Sequence, residues 1–223
     1  MDKQIVKIKS INHATHDVLH IITEKPSGLQ FEPGQATEIF INEKGWENEG
    51  RPFTFTCTPK DDYLEFMIKT YPEHAGVTNK LLELKQGDDL IINDIFGAIA
   101  YKGEGTFIAG GAGITPFISI LRDLKLKNDI GDNKLIFANK MKSDIILEDE
   151  FHKILGDNFI NILSREKTEN YAQGYITQDF LKKNAVSLNS YFYVCGPPPM
   201  MYAVLKELKD LKVDKRYIIT EEF

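Results

Sequence analysis

The chain has 223 residues, with 27 Lys and Arg against 33 Asp and Glu and a net charge of −6; this leaves room for one large domain or two of about 100 residues each and argues against a nucleic-acid binder. Its two cysteines, Cys57 and Cys195, lie far apart in sequence and suggest neither a disulfide framework nor an iron–sulfur centre. No apolar run approaches the roughly 20 residues of a membrane span, and the charged, alternating MDKQIVKIKS is unlike a signal peptide, so a cytoplasmic location is expected.

The first hundred residues read as short strands rich in Ile, Val, Phe, Thr and Tyr, at 4–8, 18–24, 36–41, 53–58, 63–68 and 89–95. Pro-Ser-Gly, Pro-Gly, Glu-Lys-Gly and Asp-Asp punctuate them. Six strands at this spacing predict a closed, six-stranded antiparallel β-barrel. One helical interruption follows Gly76, where Val77, Leu81 and Leu84 recur, and Gln-Gly-Asp-Asp ends it.

Past Tyr101-Lys-Gly-Glu-Gly, strand and helix patterns alternate: 106–109 then 116–126, 134–138 then 145–155, 159–163 then 177–184, 191–194 then 198–211, and finally 217–220. This predicts a doubly wound α/β domain on a five-stranded parallel sheet. The boundary is placed at 101–105, giving domains 1–101 and 102–223.

Within the second domain FIAGGAGITPF, residues 107–117, joins a strand to a helix through Gly110, Gly111 and Gly113. Glycines there let backbone N–H groups approach an anion, and the helix N-terminus adds unpaired donors and a favourable dipole. A turn that needs glycine only for its dihedrals explains the same residues. Thr115 is the expected N-cap and Pro116 suits the first helical position. With strand order 3-2-1-4-5, the crevice at the reversal is faced by GGAGITP and by Cys195-Gly-Pro-Pro-Pro-Met200.

In the first domain Arg51-Pro52-Phe53-Thr54 offers a guanidinium for a pyrophosphate, a ring for a flat heterocycle and a hydroxyl for a ring nitrogen. An edge strand with a solvated arginine is the alternative. Gly76-Val77-Thr78 opens the barrel's helix and supplies amides and a hydroxyl to a phosphate, or serves as a plain cap. The five histidines, His13, His16, His20, His74 and His152, form no metal-ligand set, so no metal is expected.

RPFT, GVT, GGAGITPF and CGPPPM, in this order and over essentially the whole chain, resemble the ferredoxin–NADP reductase superfamily, which joins an FAD-binding barrel to an NAD(P)-binding domain. The resemblance implies that Arg51, Pro52, Phe53 and Thr54 meet FAD, with Arg51 on the pyrophosphate, Phe53 where tyrosine usually stacks on the isoalloxazine, and Thr54 on flavin N5. Ile68 and Lys69 would line the cofactor through their backbone, and Gly76, Val77 and Thr78 would make the second pyrophosphate contact. For the pyridine nucleotide it implies Gly111, Gly113 and Thr115 at the pyrophosphate, and Cys195, Gly196, Pro197 and Met200 at the nicotinamide. Pro116 stands where a Rossmann fingerprint has its third glycine, which fits this family rather than an ordinary dehydrogenase.

Ser164, Arg165 and Tyr175 resemble the residues that hold a 2′-phosphate, which favours NADP(H) over NAD(H). The terminal Glu221 and Phe223 match a Glu-x-aromatic ending, with the ring over the flavin and moving aside for the nicotinamide, and the carboxylate supporting charge or proton movement. The implied catalytic set is therefore Thr54, Cys195, Glu221 and Phe223. The implied activity is hydride transfer between nicotinamide and flavin N5, with electrons then leaving to a separate carrier, ferredoxin or flavodoxin first. The alternatives are the reductase component of an oxygenase, a free-flavin or ferric reductase, or a non-catalytic FAD-binding electron-transfer or regulatory subunit.

Overall fold

The computed structural model of the protein describes residues 3–97 and 99–220. Alternation builds its first sheet: in β1 (Gln4–Thr15) Val6 and Ile8 are buried while Lys7 and Lys9 face solvent. With β2 (Val18–Glu24), β3 (Ala36–Ile41), β4 (Arg51–Thr54), β5 (Tyr63–Lys69) and β6 (Asp89–Phe96) it forms an antiparallel sheet in the order β4-β3-β6-β1-β2-β5. The two ends of that order meet just past β4, where the Thr56 N–H donates to the Glu65 carbonyl at 2.9 Å. Inside lie Val6, Ile21, Ile39, Phe55 and Phe66, and the short helix α1 (Val77–Lys80) plugs one end with Val77 and the following Leu81.

Two strands differ from the sequence reading. β1 runs to Thr15 instead of stopping at residue 8, because residues 9–15 are mostly exposed and leave no apolar alternation. Two register shifts against β2 accommodate it. β4 covers Arg51–Thr54 and ends before Phe55, where the chain turns inward and buries Phe55, Thr56, Cys57 and Thr58.

The second sheet contains β7 (Gly105–Gly110), β8 (Lys134–Asn139), β9 (Phe159–Leu163), β10 (Ala172–Gln173), β11 (Tyr191–Cys195) and β12 (Ile218–Thr220), all parallel, in the order β10-β9-β8-β7-β11-β12. It has one strand more than the five expected. β10 pairs only Ala172 with Ile162 and Gln173 with Leu163, too little chain to show a period. Helices α2 (Thr115–Leu126) and α3 (Glu148–Leu155) cover one face, and α4 (Gln178–Asn184) and α5 (Pro198–Asp210) cover the other.

Phe107 shows how the first face is held. Its ring stacks on Tyr193 at 4.4 Å between centroids and meets Phe117 of α2 edge-on at 5.1 Å. Burying each such side chain contributes about 1.5–3 kcal/mol, and the paired rings add to it. The same apolar cluster continues into Val18 and Met67 of the barrel and Ile99 of the connector, so the two sheets share one core. The connector is pinned as well: the Tyr193 hydroxyl donates to the Gly103 carbonyl at 2.7 Å and accepts from the Lys102 and Gly103 N–H groups.

Candidate functional site

β7 and β11 are the neighbours between which the strand order reverses, and the turns that follow them interlock. A Cβ on Gly113 would stand 2.4 Å from the Cys195 carbonyl oxygen, one on Gly110 would stand 2.4 Å from Met200 Sδ, and one on Gly196 would stand 2.7 Å from Met200 Cε. Gly113 is therefore required by packing of its turn on the backbone of the other, whereas at Gly110 and Gly196 the nearest atom is the end of the Met200 side chain, which can shift. Gly111 is different: its φ is +51° and nothing lies within 4 Å of where a Cβ would be. It is the glycine whose backbone is open to a ligand.

Thr115 is not the N-cap. A tight 3-10 turn over Gly111–Ile114 runs straight into α2, so Ile114 holds the cap position with helical angles. The Thr115 hydroxyl donates to the Ala112 carbonyl at 3.0 Å instead of accepting from the helix. Pro116 does sit in the first turn of α2, buried. Cys195 is 5% exposed and belongs to the cluster on the α2 side, the face turned toward the barrel. Pro197 takes the cap position of α5.

Beside this pair, the tips of β8 and β9 are tied together. The Ser164 N–H donates to the Asn139 carbonyl at 3.0 Å and the Arg165 N–H to the Lys140 carbonyl at 2.9 Å. The Arg165 side chain is exposed, while the neighbouring Glu166 carboxylate is taken up by the Lys142 N–H at 2.7 Å. Gln173 pairs with Leu163, which brings Tyr175, 79% exposed, to the same edge. Two residues here escaped the sequence reading, Asn139 and Lys140. Asn139 Nδ2 is buried without a hydrogen-bond partner among the described residues, and Lys140 stands next to Arg165. Their position at the end of the second parallel strand was the available signal.

On the barrel side, Arg51 is exposed and donates to the adjacent Gly50 carbonyl at 2.7 Å, with Glu49 at 4.0 Å. Phe53 rests half-buried against the barrel core, and Thr54 is half-buried opposite Ala36. Ile68 is buried, and the Lys69 ammonium is paired with Asp17. Burial pushes the Asp17 carboxyl up, but Lys69 outweighs it and holds the group below its usual range. β5 approaches the Gly111–Ile114 turn: Met67 joins the apolar cluster of the second domain, whereas the Ile68 side chain turns into the barrel core. Gly76 is extended with open space on its face, followed by the half-buried Thr78.

Glu221 and Phe223 lie outside the described residues. No group of His, Cys, Asp and Glu able to hold a metal occurs among the described residues, and no described helix is long and apolar enough to cross a membrane. The residues present fit two dinucleotides. Gly111 and Gly76 each have open space where a side chain would stand, which leaves their backbone accessible to a pyrophosphate.

Comparison with known proteins agrees with this geometry. Residues 3–95 match the model of an FAD-binding domain and residues 107–206 that of an oxidoreductase NAD-binding domain. NADH-cytochrome b5 reductase 2 of Mycosarcoma maydis is 30% identical over 219 residues, covering 88% of this chain and 62% of that protein. The reductase component of propane 2-monooxygenase from Mycolicibacterium goodii is 27% identical, covering 97% of this chain and 66% of its own length. The chain thus spans less than two thirds of these relatives. The FAD/NAD-binding domain of nitric oxide dioxygenase from Vibrio cholerae O1 biovar El Tor shares the fold, with a TM-score of 0.89, 21% identity, and 100% and 99% of the two chains covered. With both domain models matched in sequence order and the two-sheet architecture in place, the chain belongs to the ferredoxin–NADP reductase superfamily.

Proposed function

We propose that the chain is an FAD-dependent NAD(P)H oxidoreductase that passes electrons to a separate carrier, acting in the cytoplasm, with residues 1–101 holding FAD and 102–223 the pyridine nucleotide. The observation that carries this reading is the interlocked turn pair at the strand-order reversal, set directly against β5 of the barrel. Bound FAD would supply the acceptor for the nicotinamide hydride and the donor of single electrons. Arg51 and the Gly76–Thr78 amides would neutralise its pyrophosphate, Phe53 would lie against its ring system, and the Thr54 hydroxyl would hydrogen-bond N5. The Gly111 backbone would hold the nucleotide pyrophosphate, with Cys195 and Pro197 bounding the nicotinamide and excluding water.

For the nucleotide, NADP(H) is favoured. Arg165 stands exposed beside Lys140, Ser164 carries no charge, and the adjacent carboxylate, Glu166, is engaged by the Lys142 N–H. A 2′-phosphate gains from that arrangement, whereas an NAD site would place a carboxylate on the ribose. NAD(H) is the second reading, favoured by the names of the cytochrome b5 reductase relatives. The relatives' names also favour a cytochrome or an oxygenase component over ferredoxin or flavodoxin as the carrier.

Anaerobic titration of the yellow FAD-loaded protein with NADPH and with NADH tests this. Bleaching by NADPH at lower concentration is expected, and bleaching by neither sinks the reductase reading. Arg165→Ala should weaken NADPH by about tenfold more than NADH, an arginine–phosphate contact of roughly 1.4 kcal/mol. Equal loss for both nucleotides would show that Arg165 does not meet a 2′-phosphate.

A further inference from the structure

Between the two sheets lies a set of charged and polar groups that no cofactor contact requires. Arg122, on α2, donates Nη1 to the Thr56 carbonyl at 2.9 Å and to the Glu65 carboxylate of β5. Its Nε and Nη2 take both oxygens of Glu150 on α3, at 2.5 and 2.8 Å. Glu65, almost fully buried, also accepts from the Thr56 hydroxyl at 2.7 Å and lies 2.8 Å from His20 Nε2. One helical turn earlier on α2, the fully buried Ser119 donates to the Cys57 carbonyl at 2.7 Å.

The elements joined here are the ones that carry the cleft. α2 starts at the Gly111–Ile114 turn, and Arg122 lies seven residues into it, about 10 Å along a rigid rod. Thr56 and Cys57 directly continue the Arg51–Thr54 strand, and Glu65 lies three residues before Ile68 on the same strand. The guanidinium fork fixes both distance and angle, since four of its five N–H donors are directed at acceptors on three different segments in a low-dielectric seam. Apolar contacts in the shared core resist separation of the sheets, but they tolerate sliding far better than a forked charge pair does.

We infer that Arg122, seconded by Ser119, is a positioning residue: it locks α2 to the strands at Thr56 and Glu65 and so sets the separation and tilt of the nicotinamide turn relative to the flavin strands. This rests on the oxidoreductase reading above for its catalytic consequence, while the mechanical coupling stands without it. Hydride transfer needs the reacting atoms held about 3–3.5 Å apart, and a misplacement of about 1 Å costs about a hundredfold.

The test uses the FAD-loaded protein, wild type against Arg122→Met, Arg122→Lys and Ser119→Ala. Under saturating NADPH, stopped-flow bleaching should slow by about tenfold or more in R122M and about threefold in S119A, with R122K between. FAD content and nucleotide Kd should stay within about twofold of wild type, and the isotope effect from 4-deuterated nucleotide should rise. Independently of turnover, amide hydrogen exchange at 55–58 and 111–118 should quicken together in R122M and S119A while β8 and β11 keep their protection. Unchanged exchange and unchanged bleaching in S119A and R122K overturn the inference, even if R122M fails to fold. If wild type is bleached by neither nucleotide, the oxidoreductase reading falls and the exchange result alone decides the coupling.

Discussion

The two walls of the cleft are built on opposite terms. On the α/β side, the residues that shape the site are consumed by packing: the Cys195 backbone occupies the space a side chain would need at Gly113, and the end of the Met200 side chain stands in it at Gly110 and Gly196. On the barrel side, Arg51 and Pro52 are exposed and Phe53 and Thr54 half-buried, and the fold does not lean on their polar ends. The wall on the α/β side is therefore made by folding, whereas the polar ends of Arg51 and Thr54 decorate a strand that would form without them. Substitutions should register first as stability on one wall and first as ligand affinity on the other.

Gly113→Ala against Arg51→Ala is the sharpest way to break that contrast. The alanine methyl at 113 meets backbone atoms of Cys195 and Gly196 at 2.4 to 2.6 Å, which cannot rotate away. Overpacking of this kind should cost about 3 kcal/mol, a fall in Tm of about 10 °C for a chain of this size. Arg51→Ala should leave the apo-protein Tm within about 1 °C and raise the FAD Kd about tenfold. Thermal melts without ligand and FAD titration by fluorescence check both. Equal melting points would mean the nucleotide turns are not the interlocked pair described.

The next effect in size belongs to the seam behind the walls. Burial pushes the Glu65 carboxyl up, but the hydrogen bond from His20, the charge of Arg122 and the Thr56 hydroxyl outweigh it and hold the group at about 2, down from 4.5. A carboxyl depressed by folding stabilises the native state wherever it is ionised, fully above pH 4.5, and progressively less as pH falls toward 2. The contribution at neutral pH is about 3 kcal/mol. Urea unfolding of wild type and Glu65→Gln at pH 6 and pH 3 should show the wild type losing more stability on acidification than the variant. Parallel losses would mean that Glu65 is not ionised in the seam.

How much of this was legible in the sequence follows from the same contrast. The element order, the 3-2-1-4-5 core of the second sheet and the family motifs were readable because they rest on local periodicity and fixed turn chemistry. Strand ends were not: residues 9–15 are mostly exposed, with Ile11 half-buried against the core, and β10 is only two residues long. Gly111 and Gly113 look identical in a string of letters, yet one faces open space and the other a carbonyl, because that difference is made by Cys195, more than eighty residues away. The Arg122–Glu65–Glu150 seam was invisible for the same reason: a lone arginine within an apolar helix pattern reads as a solvated residue until its partners on β5 and α3 are known.

The smallest expected effect bears on Thr115, whose role as a cap the structure removes. A true N-cap threonine loses about 1 kcal/mol on replacement by alanine. Here the hydroxyl donates backward to the Ala112 carbonyl, and Ile114, not Thr115, occupies the cap position. Losing one such exposed-side hydrogen bond costs about 0.5 kcal/mol, and alanine recovers about the same amount through its higher helix propensity. Thr115→Ala should therefore leave Tm within about 1 °C. If the hydroxyl keeps its bond to Ala112 when nucleotide binds, nucleotide Kd should also stay within about twofold; a larger rise would mean the hydroxyl rotates to the phosphate. A drop of about 3 °C or more would restore the capping role and place the turn geometry in the sequence after all.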